Sequence, residues 1–276
     1  MAYPITPENT GMVSALMSSL LMTRQSLTRA RSVPVSFATM AGRVSPLDDL
    51  LRKAGATMVE AEGAVVAAHF GSVVGEMAVL WHAVGIADRS ELTKLELRGA
   101  PEFISQSAEY LSGTPVQARS VMRTKGTWWL PIAPDRMMIL CEPGRRDELA
   151  GNLEEITRPT ERSSWVDVTG DYAAIALVGP NAEALLEAVG ADDDVQMPEE
   201  GHLSDTRLAA RAALLVRETP WEFLLVVRRA EAVDTWLELE SMGGDFGIGN
   251  VGHEAIEHSE IGTATIARQV RSRTAR

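Results

Sequence analysis

Residues 95–100 read Leu-Glu-Leu-Arg-Gly-Ala, and residues 175–180 read Ile-Ala-Leu-Val-Gly-Pro. Both stretches have the apolar pattern of a strand and stop at a glycine. A helical pattern follows each glycine, over 100–112 in the first case and as far as Val189 in the second. Two strand–glycine–helix units in one chain predict two similar half-domains, each built from sheet and helix.

Strands and helices also alternate along the rest of the chain. Further strands are predicted at 57–60, 64–70, 92–97, 128–132, 137–141, 165–168, 172–177, 208–216 and 221–227. Several of them follow one another across short turns, such as 133–135, which is typical of antiparallel pairing. The sequence therefore predicts an α+β fold rather than a doubly wound parallel sheet.

The composition is that of an acidic globular protein with a net charge of −12. This charge repels a phosphate backbone, so we expect no nucleic-acid partner. Since no uncharged run reaches the ~20 apolar residues that a spanning helix needs, we expect no membrane span. The single cysteine, Cys141, excludes a disulfide framework, and the first ten residues lack the basic side chains of a signal peptide. We expect a cytoplasmic protein.

Both ends of the chain are basic. Residues 1–44 carry four arginines and one acid, and the last nine residues carry four arginines and no acid. Within 1–44, apolar side chains recur near helical spacing at Met12, Leu16, Leu20 and Leu27. An apolar helix face is normally covered. We therefore predict that 1–44 is an appendage that binds a partner protein or a second copy, followed by a domain over 45–260 and a basic tail over 261–276.

The stretch 253–258, His-Glu-Ala-Ile-Glu-His, invites a metal-site interpretation. Its histidines are five residues apart, whereas two ligands on one helix face need a spacing of four. The sequence also lacks a glycine-rich phosphate loop after a strand and a Gly-x-Ser-x-Gly turn. We expect no metal.

The order of short motifs over 45–260 resembles the aminomethyltransferase family, which includes the glycine-cleavage T-protein and its folate-binding relatives. The motifs that carry this resemblance are Ser45–Leu50, Gly55–Val59, Gly75–Val79, Val84–Ser90, Lys94–Gly99, Val166–Thr169 and Ala173–Ala182. The resemblance implies two half-domains around a central cavity that holds a small-molecule ligand. It also implies one-carbon metabolism as the function and tetrahydrofolate as the cofactor.

Two departures from the family bear on function. Lys125 and Gly126 stand where the family's hairpin carries two acids that face the folate nitrogen. Lys125 is thus a candidate ligand contact of the opposite charge. The chain also stops where T-proteins begin a C-terminal barrel, so we expect that barrel to be absent. Residues 128–135 resemble instead the gamma subunit of heterotetrameric sarcosine oxidase, a subunit of the same fold without its own cofactor.

Five further residues are candidates for the site. Glu222 is the best remaining carboxylate to steer proton transfer at a folate nitrogen, and is the candidate catalytic residue. Arg119 and Arg217 are candidates for pairing with a ligand carboxylate. Trp128 and Trp129 are candidate ligand contacts. Since adjacent strand residues face opposite sides, one tryptophan is expected to pack inward and the other to line the cavity.

The favoured interpretation is a noncatalytic subunit of a larger amine-oxidising, demethylating or transferase complex with a degenerate folate site. One alternative is a small folate-dependent methyl or aminomethyl transferase or demethylase. Another is a repurposed cavity that acts on a non-folate small molecule.

Overall fold

Two sheets lie face to face in the computed structural model, which describes residues 44–190 and 195–258. The predicted helix over Met12–Leu27 and the predicted tail over 261–276 lie outside these residues. The strands are β1 (Thr57–Ala61), β2 (Ala64–His69), β3 (Val84–Asp88), β4 (Thr93–Arg98), β5 (Met122–Thr124), β6 (Thr127–Ala133), β7 (Arg136–Cys141), β8 (Ser164–Asp167), β9 (Tyr172–Val178), β10 (His202–Leu208), β11 (Arg211–Thr219), β12 (Glu222–Arg228) and β13 (Ile248–Asn250).

Helices connect these strands and cover their outer faces. The helices are α1 (Asp48–Lys53), α2 (Val73–His82), α3 (Pro101–Ser112), α4 (Arg146–Thr157), α5 (Ala182–Val189) and α6 (Ala232–Gly243). Residues 253–258 are helical as well. Within the described ranges, no helix has both the length and the apolar character that crossing a bilayer requires.

One sheet has six strands in the order β10-β11-β12-β9-β3-β13, and the other has five in the order β5-β6-β7-β4-β8. Neighbouring strands are antiparallel throughout, except for the parallel pair of β13 and β3. Strands β1 and β2 form a separate hairpin. Mixed helices and sheets confirm the predicted α+β class.

Helices pack on the outer face of each sheet and leave the inner faces to meet. On the five-stranded sheet, Ile104 of α3 and Leu149 of α4 join the cluster that contains Ile139 of β7. On the six-stranded sheet, Leu186 of α5 and Trp236 of α6 join the cluster that contains strand residues of β9 and β12. The result is four layers, in the order helix, sheet, sheet, helix.

The two predicted strand–glycine–helix units fall one in each sheet, as β4–Gly99–α3 and β9–Gly179–α5. Gly179 has a φ of +137°, and a Cβ at this position would lie 2.3 Å from the carbonyl oxygen of Ala83. The glycine therefore allows the start of α5 to lie directly against the end of α2. Each unit contributes one strand to its sheet and one helix to the outer layer.

Four strands lie outside the ranges that the sequence predicts: β3, β5 and β13 entirely, and β10 except for Leu208. Residues 75–84 have the apolar spacing of a helix and Gly85 follows as a helix end, so the sequence predicts a helix as far as Val84. In the structure α2 ends at His82, and both Val84 and Gly85 belong to β3. A side chain at Gly85 would meet Leu80 at 2.5 Å, so the glycine serves close helix–strand packing. The predicted strand over 208–216 is divided in the structure, because Ala209 and Ala210 form a turn with φ angles of +48° and +62° between β10 and β11.

Candidate functional site

A cavity lies between the two sheets, where the inner faces diverge. Its lining comprises Arg89, Leu92, Arg123, Trp128, Ala176, Val178, Glu218, Glu222, Phe223, Leu224 and Ile256. The space inside is about 30 Å³, enough for about two water molecules. Sites for drug-sized ligands usually measure about 300 Å³ or more. In this conformation the cavity therefore has no room for tetrahydrofolate.

Strand alternation brings Glu222 and Trp128 to this cavity. On β12, Leu224 and Val226 face the inter-sheet cluster, and Glu222 has the same parity. On β6, Trp128 joins that cluster while its neighbour Trp129 packs in the cluster beneath α3 and α4. Two of the sequence-predicted residues thus meet in one cavity, although they lie more than 90 positions apart.

Trp129 is placed away from the cavity. Its indole Nε1 donates a hydrogen bond of 2.9 Å to the Thr124 hydroxyl, and its ring is buried beside Leu97 and Ile139. This arrangement fills the helix-facing side of the five-stranded sheet. Trp129 therefore contributes packing at a distance from the cavity lining.

Arg123 covers the face of Trp128. The two residues are direct cross-strand partners in β5 and β6, and the guanidinium carbon lies 4.2 Å from the centroid of the Trp128 ring. Its Nη1 lies 3.5 Å from Oε2 of Glu218. A cation at this distance from an indole face is attracted by the ring electrons. Sequence reasoning missed both Arg123 and Glu218.

A tight turn between β5 and β6 places Arg123 opposite Trp128. Lys125 and Gly126 form the two-residue connection, with φ angles of +50° and +71°. Positive φ at both positions is typical of a tight hairpin turn, but asparagine is a more usual first residue than lysine. Lys125 is exposed at this turn and is not among the cavity-lining residues.

Arg217 binds Glu183 on the face of the six-stranded sheet that is turned away from the cavity. Its two terminal nitrogens donate to the two carboxylate oxygens of Glu183 in α5, both at 2.8 Å. Its guanidinium also lies over Phe223, 5.1 Å from the ring centroid. Arg119 lies in an exposed loop at a φ of +59°, and its carbonyl accepts the N–H of Leu203. Neither arginine lines the cavity.

A second cation, Arg89, also lines the cavity. Its Nε donates to Glu91 at 2.7 Å and its Nη2 donates to Glu142 at 3.3 Å. Burial raises the pKa of the Glu142 carboxyl, an effect that Arg89 opposes and Glu91 reinforces. The charge of Arg89 is therefore balanced by two carboxylates of its own.

One polar atom of the cavity lining is not satisfied by the fold. Trp128 is only 1% exposed, and its indole Nε1 finds no acceptor among the described residues. Buried polar groups almost always have a hydrogen-bond partner. In the same part of the chain, no three His, Cys, Asp or Glu side chains come together as a metal site requires.

Comparison with known proteins gives no matching family model. An aminomethyltransferase of Nitrosococcus oceani is 25% identical over 225 residues, which are 73% of this chain and 58% of that relative. The chain thus spans less than two thirds of the length of the curated relative it matches.

Two solved structures share the fold. The glycine cleavage system aminomethyltransferase T of Bartonella henselae matches with a TM-score of 0.62 and 16% identity, over 77% of this chain and 60% of that one. A chain of the heterotetrameric sarcosine oxidase of a Corynebacterium species matches with a TM-score of 0.56 and 19% identity, over 76% of this chain and 98% of that one.

The motif order along the sequence, the layered fold and these similarities agree. The resemblance inferred from the sequence is confirmed: the chain is similar in sequence to an aminomethyltransferase, and it shares its fold with aminomethyltransferase T and with a chain of sarcosine oxidase.

Proposed function

We propose that this protein is a noncatalytic subunit of a larger complex that oxidises, demethylates or transfers groups from amines. The observation that carries the proposal is the filled cavity. Arg123 lies over Trp128 where a ligand ring would stack, and about 30 Å³ remains. The fold is that of a one-carbon enzyme family, while its cavity is closed to a folate.

The hairpin chemistry supports the same proposal. Lys125 and Gly126 form the turn, so this hairpin supplies no carboxylate for a developing positive charge. Glu218, a carboxylate of the cavity lining, lies beside the Arg123 guanidinium instead. A carboxylate that balances a fixed cation is less available as a proton acceptor, because the cation favours its charged form.

The similarity to a chain of a heterotetrameric oxidase also supports a subunit role. The match covers 98% of that chain, with a TM-score of 0.56. On this basis we propose that the chain is a component of a heteromeric assembly. The single cysteine, Cys141, is a buried thiol, which fits the proposed cytoplasmic location.

Exposed apolar side chains on α2 and in the β11–β12 turn offer contacts for the partner. Val74 and Trp81 lie on the outer side of α2 and are 78% and 61% exposed, and Trp221 in the β11–β12 turn is 62% exposed. The segments that carry the two tryptophans meet at Gly179. Its N–H donates to the Trp221 carbonyl, and its Cα lies against the backbone of Ala83, two residues after Trp81. Exposed tryptophans are typical of interface anchors.

The net charge of residues 44–258 indicates the chemistry of this partner. Residues 44–258 contain 36 acidic and 18 basic side chains. Electrostatic complementarity favours association of an acidic surface with a basic one. We therefore propose a partner that presents an apolar pocket surrounded by lysine and arginine side chains.

The first test measures folate binding and turnover by the isolated chain. Tetrahydrofolate is titrated and followed by tryptophan fluorescence, with an authentic aminomethyltransferase as the positive control. We expect no saturable change and no transfer from an aminomethyl donor. Saturable binding together with turnover near the rate of the control would overturn the proposal.

The second test is co-expression with amine oxidase chains from the same genome, starting with any whose genes neighbour this one. We expect a stable complex by size-exclusion chromatography that is lost in the double variant Trp81→Glu, Trp221→Glu. The matched control is Tyr110→Glu, which changes an aromatic residue of 72% exposure on α3. Elution of the chain without any of the co-expressed partners would contradict a subunit role.

A second candidate function is a small folate-dependent transferase or demethylase. The observation in its favour is that the Glu222 carboxylate lines the same cavity as Trp128. In that case Glu222 would be the general acid or base. Loss of turnover in Glu222→Gln, with tetrahydrofolate binding retained, is the result that this function requires.

A further inference from the structure

The outer side of α6 carries apolar side chains that the rest of the described chain leaves exposed. Val233 and Leu237 are 36% and 48% exposed, and Met242 at the end of the helix is 41% exposed. The inner side of the helix packs on the six-stranded sheet through Trp236 and Leu239. Val233 and Leu237 are four residues apart, so they lie one above the other on the same face. Apolar side chains grouped in this way are normally covered by another surface.

An open groove continues this face at the start of α6. Its lining joins Pro46 and the helix residue Val233 to two exposed arginines, Arg228 and Arg229, and to one acid, Asp171. Apolar side chains are thus combined with a net positive charge. The groove suits a partner that presents an apolar side chain next to a carboxylate.

The Arg229 guanidinium can accept such a carboxylate without losing a contact. Its Nη2 donates to the Val44 carbonyl at 2.9 Å. A guanidinium has five N–H donors, so the remaining ones can bind a further acceptor while this hydrogen bond stays in place. The arginine is exposed, and a carboxylate could therefore approach it from solvent.

The required combination of groups lies at the other end of the same helix. The C-terminal half of α6 carries Glu238 and Glu240 and no basic side chain, and the exposed Met242 follows them. Near the middle of the helix, Asp234 lies 3.8 Å from the Arg211 guanidinium, which balances its charge. One end of this face is therefore basic and grooved, whereas the other end is acidic and ends in an exposed methionine.

A face with such opposite ends is complementary to a second copy of itself in antiparallel orientation. A two-fold axis at the level of Thr235 would place Val233 of one copy on Leu237 of the other. The same axis would bring Glu240 of each copy beside Arg229 of the other, because residues equally far from the axis meet. In an interface of this kind every contact is formed twice.

We propose that this protein forms a homodimer through α6, with the two helices antiparallel and Met242 of each copy in the groove of the other. One helix face and a groove are smaller than the ~800 Å² per partner of a standard interface. We therefore expect association in the micromolar range. Such a dimer would bring two copies of the chain into any larger assembly that it joins.

The first measurement is sedimentation velocity of the full chain over a concentration series that spans the micromolar range. We expect a reversible equilibrium between monomer and dimer. Leu237→Glu places two charges near the two-fold axis and should raise the Kd of the dimer at least about tenfold. The matched control is Tyr110→Glu on α3, at a position that is 72% exposed, and should leave the equilibrium unchanged.

The second measurement tests the antiparallel register. Arg229→Glu and Glu240→Arg each set like charges opposite one another in both contacts of a homodimer, so each variant alone should remain monomeric. In an equal mixture of the two variants, both contacts join opposite charges again. We expect the mixture to recover a dimer that contains one chain of each variant.

A wild-type chain that remains monomeric throughout the series would overturn the proposal, since the face would then be covered by something other than a second copy. A dimer that persists unchanged in Leu237→Glu, shown to be folded by circular dichroism, would place the interface elsewhere. A mixture of the charge-reversed variants that stays monomeric would also overturn it. None of these outcomes depends on folate binding or on a complex with other proteins, so they are distinct from a failure of the proposed function.

Discussion

The carboxylate of Glu76 in α2 joins two backbone segments that lie far apart in the chain. Oε1 accepts the N–H of Phe70 at 2.7 Å, and Oε2 accepts the N–H of Gly252 at 2.8 Å. Glu76 is only 6% exposed. The contact fixes the start of the helical residues 253–258, and through them it places Ile256 in the wall of the cavity.

Replacing Glu76 should therefore lower stability strongly. In Glu76→Ala, two N–H groups lose their charged acceptor, and each such loss costs about 1–3 kcal/mol. We expect a fall of about 3 kcal/mol in the free energy of unfolding, measured by urea titration. Glu76→Gln keeps one acceptor oxygen, so we expect its free energy of unfolding to lie between those of the wild type and Glu76→Ala. The exposed Glu109→Ala serves as control, and an equal effect there would contradict this role for Glu76.

Arg217 should behave as a structural residue rather than a ligand contact. Its paired hydrogen bonds to Glu183, both 2.8 Å long, connect β11 to α5 on the face away from the cavity. We expect Arg217→Ala to lower the free energy of unfolding by about 1–3 kcal/mol. The measurement is urea unfolding of the wild type and the variant. Unchanged stability in Arg217→Ala would contradict this structural role.

Gly179 should tolerate no side chain. A Cβ there would lie 2.3 Å from the Ala83 carbonyl oxygen, and the φ of +137° is strained for any other residue. We expect Gly179→Ala to lower the unfolding free energy by more than about 3 kcal/mol or to prevent folding. Gly170→Ala, where a Cβ meets nothing within 4 Å, is the matched control and should change thermal stability little.

Asp88 should make the protein less stable as the pH rises. Burial, and secondarily the charge of Glu91, raise the pKa of the Asp88 carboxyl above its ordinary value of 3.8. The folded state then binds this proton more tightly than the unfolded state. The contribution of Asp88 to the free energy of unfolding is full below pH 3.8, and it is lost as the pH rises through the folded-state pKa of this carboxyl.

The variant Asp88→Asn tests this pH dependence. Asparagine keeps an oxygen that can accept the Ser90 N–H and removes the buried charge. We expect it to flatten the fall in stability and to be more stable than the wild type at pH 7, by urea titration across the pH range. Asp245→Asn, at an exposed position, should leave the profile unchanged. A steeper fall in Asp88→Asn would show that the charge is stabilising.

The fold was largely accessible from the sequence because its elements are locally encoded. Apolar alternation marks β4, and the glycines at 99 and 179 mark where strands give way to helices. Strand β3 was missed because Val84 and Gly85 continue the helical spacing of α2. Its strand state depends on pairing with β9 and β13, which come more than 80 residues later.

The site was only partly accessible, because side-chain direction depends on register. Glu222 and Trp128 follow simple alternation and do line the cavity. Arg217 and Glu218 are neighbours that face opposite sides, and a register shift between β11 and β12 falls at this point. Which of the two faces the cavity depends on that pairing, which the local sequence does not specify.

The edges of the two sheets restrict how copies or partners can associate. Three edge strands, β5, β8 and β13, have only three or four residues, too few for stable pairing with another chain. At the start of the fourth edge strand, β10, the Leu203 N–H donates to the Arg119 carbonyl, and the carbonyl of the preceding Gly201 accepts the Val121 N–H. This strand also carries the charged side chains Asp205 and Arg207. Assembly should therefore proceed through side-chain contacts on helix and turn surfaces, and the protein should resist growth into β-rich aggregates.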